Sequence, residues 1–390
     1  MAELTYRTAG ESHGPAITVL IEGLPAGLAI DLDLINGELR RRQGGFGRSG
    51  RMRIEKDAAT VLSGVRHGLA IGSPLVLQIP NKDHRIETAP AVHRPRPGHA
   101  DLAGSLKWLT TDCRETLERA SARETTTRVA AGALVKRLLL DFGVRCVGFV
   151  LEIAGVQADV PDDLPPDDIV AVRDANDVYT PDASVADGMI EAIRAAKKSK
   201  DTVGGIVEVR VFGLPPGLGS CTSWQEKLDG RLMRAVGTIQ AFKGVEIGLG
   251  FDCARRPGSR VHDAIYFDSA QRDTPNFGFV RKTNRAGGLE GGMTNGQTLV
   301  VRGVMKPIST LLQGMDSVNL RTLKAERSDY ERSDVCAVPA ASVVAENVVA
   351  FEVAGAFLDK FNGDTQREVQ AAYQFYADSI RALPAEAEGG

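Results

Sequence analysis

AASVVAENVVAFEVAGAFLD (340–359) is the stretch whose reading decides the fold. At helical period its apolar residues fall on nearly every face, which marks an internal helix rather than a surface one. Pro339 suits its first turn, where a missing N–H costs nothing. A helix apolar all round needs cover on both sides, so the sequence predicts helices layered between sheets. Working outward, Thr5–Thr8, Ile17–Glu22, Ala59–Val65 and Pro74–Ile79 read as short strands bounded by Gly, Pro or Asn. Residues 145–155, 205–212, 244–250 and 298–305 read as further strands. Helices are expected at Asp31–Gln43, stopping at Gly44–Gly45, at 166–175 and 182–198, over Trp224–Ala241, and over Asp364–Leu383. One long helix is expected from the capping-box-like Asp112–Glu115 pair to Asp141. Its small residues Ala130, Ala131, Gly132 and Ala133 would let another backbone come close. Strands arrive in groups and helices do not alternate with them, so the class is α+β rather than doubly wound. A single domain over 1–390 is expected, with a Pro- and His-rich loop at 80–101 and a short flexible tail at about 384–390.

Composition bounds the function. The 43% apolar and 25% charged fractions of the 390 residues are those of a globular chain and exclude intrinsic disorder. Gly is in excess, 42 residues, which suits tight turns and backbone lying close to a ligand. A net charge of −3 speaks against a generic polyanion binder, so no nucleic-acid partner is expected. The five cysteines, Cys113, Cys146, Cys221, Cys253 and Cys336, form no CxxC pair. They predict reduced thiols in a cytoplasm, with no disulfide frame and no zinc ribbon. The start, MAELTYRTAGESHG, has no basic region followed by an apolar run, and no run reaches the ~18 apolar residues of a membrane span. A soluble cytoplasmic enzyme without a membrane partner is expected.

Chemistry concentrates in a few places. Neither GxxxxGK[ST] nor a strand-borne GxGxxG occurs. Gly287–Gly292 is either a long turn or a flat row of amides for a planar or phosphorylated ligand. Arg40, Arg41, Arg42, Arg48, Arg51 and Arg53 crowd fourteen residues without one Lys. Guanidinium forks grip phosphate or carboxylate, so a small anion fits this cluster better than nucleic acid or purely structural ion pairs. Of six histidines, His13 (in GESHG) and His99 (in RPGHAD) stand in tight turns beside anion-binding residue types. Neither shows metal-ligand spacing, and no metal site is expected. Arg119 and Arg123 share a helix face at i, i+4, which an anion between them would relieve. In Arg327–Asp334 an acid is either a base tuned by burial or simply the cap of the following helix.

Taken together, GESHGPAITVLIEGLP (10–25), ERASARETTTRVAAGAL (118–134) and RSDVCAVPAASVVAENV (332–348) resemble the three signature blocks of the chorismate synthases. RRRQGGFGRSGRM (40–52), RPRPGHAD (94–101), QAFKGVEIGLGF (240–251) and MKPISTL (305–311) add matches in the family's order. The resemblance implies a lyase that eliminates phosphate from 5-enolpyruvylshikimate 3-phosphate to give chorismate. That trans-1,4-elimination requires reduced FMN without net redox change. It implies a β-α-β sandwich, a central helical layer between antiparallel sheets, assembled as a homotetramer. It also implies roles: His13 to protonate the leaving phosphate, His99 beside flavin N1, and Asp334 to take a proton from flavin N5. Arg42 and Arg48 would bind substrate or NADP, with Ser12 and Arg123 in support. Arg119, Ala120, Ser121, Gln240, Ala241, Gly291, Lys306, Pro307, Ile308, Ser309, Thr310 and Arg332 would line FMN. A flavin oxidoreductase using NADPH is the competing expectation, and the 80–93 loop is the least family-like stretch.

Overall fold

The computed structural model describes residues 3–49, 56–331 and 333–386. Arg51, Arg53 and Arg332 therefore lie outside the described residues. The first sheet is built from β1 (Thr5–Ala9), β2 (Ala16–Glu22), β3 (Thr60–Ser63) and β6 (Leu75–Pro80), in the antiparallel order β1-β2-β6-β3. A small hairpin, β4 (Val65–Arg66) and β5 (Leu69–Ala70), interrupts it. Strict alternation sets its register: Ile17, Val19 and Ile21 face Ile79, Leu77 and Leu75 across the β2–β6 pair, all of them buried. Helix α1 (Leu32–Gln43) begins at Asp31, whose carboxylate accepts from the Leu34 amide at 2.9 Å.

The expected helix from 112 to 141 is broken. Helix α2 (Asp101–Lys107) is followed by α3 (Arg114–Ala120), a 3₁₀ turn at Ala122–Glu124, and α4 (Thr125–Leu140). Ser121 is extended, with φ −62° and ψ 143°, and its hydroxyl accepts from the Arg123 amide at 3.2 Å. Ser121-Ala-Arg-Glu124 is itself a capping-box sequence, a restart signal in a stretch otherwise free of breakers.

The second sheet contains β7 (Arg145–Ile153), β8 (Val156–Gln157), β9 (Gly205–Phe212), β10 (Phe242–Ile247) and β15 (Leu299–Met305), ordered β10-β15-β9-β7-β8 with antiparallel neighbours. Helices α5 (Pro166–Asp174) and α6 (Ala183–Lys198) connect β8 to β9. Helix α7 (Leu228–Gly237) is shorter than the expected Trp224–Ala241. Its start is pinned by the Leu228 amide on the Gly292 carbonyl at 2.9 Å, and Ala241 beyond its end has φ +69°. Short hairpins β11 (Ile265–Phe267) with β12 (Phe279–Arg281), β13 (Leu289–Glu290) with β14 (Met293–Thr294), and β16 (Asp316–Val318) with β17 (Ala325–Arg327) decorate the rest.

The deciding apolar stretch forms α8 (Val338–Lys360), and α9 (Gln366–Glu386) closes the described chain. The remainder of the expected 384–390 tail lies outside the described residues. Helix α8 is long and apolar enough to cross a membrane, but nearly all of it is buried inside the protein. It packs on α4, α1 and α7 and on strands β7 and β9, while α4 packs on β2 and β6. The α4–α8 contact is as close as the small residues predict: a Cβ on Gly132 would stand 2.1 Å from the Asn347 carbonyl oxygen. Glu346, buried in the middle of α8, accepts from Arg41 Nη2 and the Gly148 amide at 2.9 Å each and pairs with Lys136. Burial pushes its carboxyl up, but Arg41, Lys136 and Arg173 outweigh that and hold it well below the usual range.

Candidate active site

Chain segments distant in sequence meet in a cavity of about 530 Å³ at the start of α8. Ser12 and His13 enter from the turn after β1, Arg42 and Arg48 from the end of α1, and His99 from the turn before α2. Ala120–Arg123 enter at the helix break, Gln240 and Ala241 after α7, and Lys306 and Ile308–Thr310 after β15. Asp334 and the small side chains Ala337, Ala340 and Ala341 form the wall at α8.

The Arg cluster divides by direction. Neighbouring helix positions point about 100° apart, so Arg41 runs into the Glu346 network while Arg42 reaches the cavity. The structural ion-pair reading thus holds for Arg41. Arg42 donates from Nε to Thr125 Oγ1 at 2.9 Å and from Nη2 to the Ala122 carbonyl at 2.7 Å. Among the described residues its buried Nη1 has no hydrogen-bond partner, and it lies 3.6 Å from Asp57 Oδ2. Burial, with Arg123 and Arg48 nearby and Asp57 and Asp334 opposing, pulls Arg42 down to about 9. Asp57, its ion-pair partner, is shared with Arg123.

Arg123 and Arg119 do not share a helix face, because the helix breaks between them. Arg123 pairs with Asp57 at 2.6 Å and donates to Asn81 Oδ1 at 2.8 Å. Arg119 turns outward, donating to the Thr8 and Gly10 carbonyls at 3.0 Å each, and does not line the cavity. Pro307 is exposed, and Gly291 sits at the tip of the β13–β14 hairpin; neither lines the cavity.

Asp334 is bound by Arg48 Nη1 at 2.7 Å and accepts from the Ser49 amide at 2.6 Å. It does not cap α8, whose cap position is Ala337. His13 Nδ1 lies 3.0 Å from both oxygens of Glu118, and its Nε2 lies 3.8 Å from Asp83 Oδ2. His99 Nδ1 meets Asp101, which Arg96 grips from Nε at 2.8 Å and Nη2 at 3.0 Å. Burial pushes the Asp101 carboxyl up, but its hydrogen bonds from His99 and Arg96 hold it well below the usual range. Ser121 donates to Ser12 across 3.1 Å. Lys306 Nζ donates to Ser309 Oγ at 2.9 Å, and burial together with Lys243 lowers its ammonium. Gln240 donates to Glu124 at 3.1 Å, and its buried Oε1 is an acceptor without a partner among the described residues.

Sequence reasoning assigned no role to Arg96, Asp101, Glu118, Asp57 or Thr125. Asp101 had a local signal, two residues beyond His99. Glu118 had none, because it meets His13 only through the fold, 105 residues away.

Guanidinium groups around carboxylate-held imidazoles, walled by small apolar side chains, define an enzyme site for a small anionic molecule. Residues 4–358 match the chorismate synthase family model. The chorismate synthase of Geobacter sulfurreducens is 51% identical over 97% of this chain and all of its own length. That of Listeria monocytogenes is 50% identical over 93% of this chain and 95% of its own. A solved structure described as the crystal structure of chorismate synthase superposes with a TM-score of 0.80 at 37% identity, covering 98% of this chain and 99% of that one. The chain belongs to the chorismate synthase family.

Proposed function

We propose that this chain is a carbon–oxygen lyase of the shikimate pathway that converts 5-enolpyruvylshikimate 3-phosphate to chorismate and phosphate. The observation that carries this reading is the convergence of the Arg42, Arg48 and Arg123 guanidinium groups with the carboxylate-held His13 on one cavity, Arg42 and Arg123 sharing Asp57 between them. A leaving phosphate develops charge, and preorganised donors in a site shielded from water stabilise it strongly. Arg42 offers Nη1, which has an ion pair with Asp57 at 3.6 Å but no hydrogen bond among the described residues. Arg48 carries five N–H donors, with Nη1 on Asp334, so turning its fork toward the anion would loosen that pair. Asp334, released, can accept a proton at Oδ2. As an imidazolium, His13 would keep Nδ1–H on Glu118 and give the proton at Nε2 to the departing phosphate, which leaves the neutral ring protonated at Nδ1.

Reduced FMN, when bound, would supply the transient electron density that lets phosphate and hydrogen leave without net oxidation. The unpartnered Oε1 of Gln240 fits a ring with an N–H donor, and the cavity falls within the ~300–1,000 Å³ usual for such ligands. Ala120, Ser121, Ala241, Lys306 and Ile308–Thr310 would hold it, and His99 would counter negative charge on the reduced ring. Arg119, Pro307 and Gly291, outside the cavity of one chain, are given no part in this reading. The layered arrangement follows from which faces need cover: α1, α4 and α8 form a central helical layer, with the first sheet on α4 and the second on α8. A cytoplasmic homotetramer completes the reading, and light scattering tests it. The activity is tested by anaerobic phosphate release from 5-enolpyruvylshikimate 3-phosphate with dithionite-reduced FMN. Phosphate should appear with reduced flavin and not without it; no release under either condition would overturn the assignment.

A further inference from the structure

We infer that Glu118 is a positioning residue: it fixes the tautomer of His13, so that Nδ1 keeps its proton and Nε2 is the nitrogen presented to the substrate. The inference rests on the reading of His13 as proton donor: the imidazolium gives its Nε2 proton and returns to this one neutral tautomer. Glu118 lies in the body of α3, buried, and receives three contacts from one residue. The His13 amide reaches Oε2 at 2.8 Å, and Nδ1 stands 3.0 Å from each oxygen. A carboxylate only accepts, so Nδ1 carries the hydrogen. Backbone and ring are thus held by one group, which removes both the ring flip and the alternative tautomer.

Glu118 is itself held. Arg114 Nη1 reaches Oε1 at 3.1 Å, while the same guanidinium donates to Glu331 at 2.8 Å and to the Pro90 carbonyl at 2.8 Å. Burial pushes the Glu118 carboxyl up, but the hydrogen bonds of His13 and Arg114 outweigh it and hold it below its usual value. The acceptor therefore stays charged. Other charged groups near His13, among the described residues, include Glu11 of its own turn, and Asp83 of the 80–93 loop with Arg85 bound to it at 3.2 Å. His99 repeats the construction, with Nδ1 on a buried carboxylate that an Arg grips. Histidines outside the cavity do not: Nδ1 of His84 meets the Asn81 carbonyl and Nδ1 of His93 the Thr111 carbonyl.

A helix-stabilising role for Glu118 would need only the Arg114 pair at i, i+4, so the state of the His13 ring separates the two roles. Nitrogen-15 NMR of the full chain carrying labelled histidine, with His13 assigned through His13→Gln, should show neutral His13 protonated at Nδ1 and bare at Nε2. The opposite tautomer in the wild-type chain overturns the inference, whether or not any variant folds. Glu118→Gln should lower kcat by at least ~10-fold, within the range seen when a histidine loses its orienting carboxylate. KM and FMN binding should stay within about twofold, the neutral ring should populate both tautomers, and Glu118→Asp should restore part of kcat. Unchanged kcat with an unchanged ring overturns the inference as well. Absence of phosphate release from the wild-type chain would instead sink the reaction assignment and leave the tautomer result standing.

Discussion

Arg42 and Arg123 both pair with Asp57, while Arg48 pairs with Asp334. Removing Arg48 should do two things, weakening the anion site and leaving Asp334 on the Ser49 amide without that cation. Arg48→Ala is expected to weaken substrate binding by roughly 1.5–3 kcal/mol, about ten- to more than a hundredfold, the scale of one charge-assisted contact. FMN binding should change much less; equal loss of both in equilibrium titrations would remove Arg48 from the substrate side. Asp334→Asn keeps an acceptor for the Ser49 amide and leaves the α8 cap untouched, because that cap is Ala337. Turnover with reduced FMN should fall by ~10²–10⁴, as for loss of an acid–base group, with the melting temperature nearly unchanged. An active variant would end the catalytic role of Asp334. His13, His99 and the Arg cluster were legible in the sequence because a charge or ring beside glycine has few structural uses. Their carboxylate partners were largely not: Glu118 and Asp57 belong to pairings that only the fold creates. Asp334 showed its identity but not its partner, since the fold brings Arg48 to it from the far end of the chain.

At the scale of elements, the strands and the internal helix were readable because apolar spacing and breakers agreed. The break at Ser121 was missed although Ser121 and Glu124 spell a capping box, because Ala, Arg and Glu on either side favour helix and no Gly or Pro interrupts them. What decides it is tertiary: Ser12 and the Ala122 carbonyl bring partners to the gap, and Arg42 docks on that carbonyl. The break thus turns what would be a continuous rod into a wall of the cavity. The α4–α8 contact tests the opposite case, where packing tolerates nothing. Gly132→Ala would set a methyl 2.1 Å from the Asn347 carbonyl oxygen, in backbone that cannot yield cheaply. Destabilisation of about 1–3 kcal/mol is expected from such overpacking, despite the gain in helix propensity, and urea unfolding measures it. A more stable variant would mean the two helices can part.

For the whole molecule, acid is the revealing condition. Asp101, Glu118, Glu124 and Glu346 are all held below their ordinary values by cationic and hydrogen-bonding partners that outweigh burial. A depressed folded value contributes stability in full above the unfolded value, near ~4, and loses it as pH falls through the folded one. Glu352, pushed up by burial despite Arg231, has the opposite sign but stands alone against four. The melting temperature should be nearly flat from pH 8 to 5 and fall steeply below about pH 4. Calorimetry showing a rise below pH 4 would contradict the ion-pair account.

Helix α8 also sets a schedule. Strands β7 and β9 are complete by Phe212, yet the helix that covers them ends only at Lys360, about 150 residues later. At ~5–20 residues per second, a ribosome needs roughly 7–30 s to cross that interval. Throughout it, the growing polypeptide holds a sheet whose inner face has no lid, a surface suited to chaperones and to aggregation alike. Ribosome-bound chains arrested before Val338 should be cut by protease across β7 and β9, and chains whose α8 has cleared the exit tunnel should resist. Synthesis, for this topology, is a wait for the piece that arrives near the end.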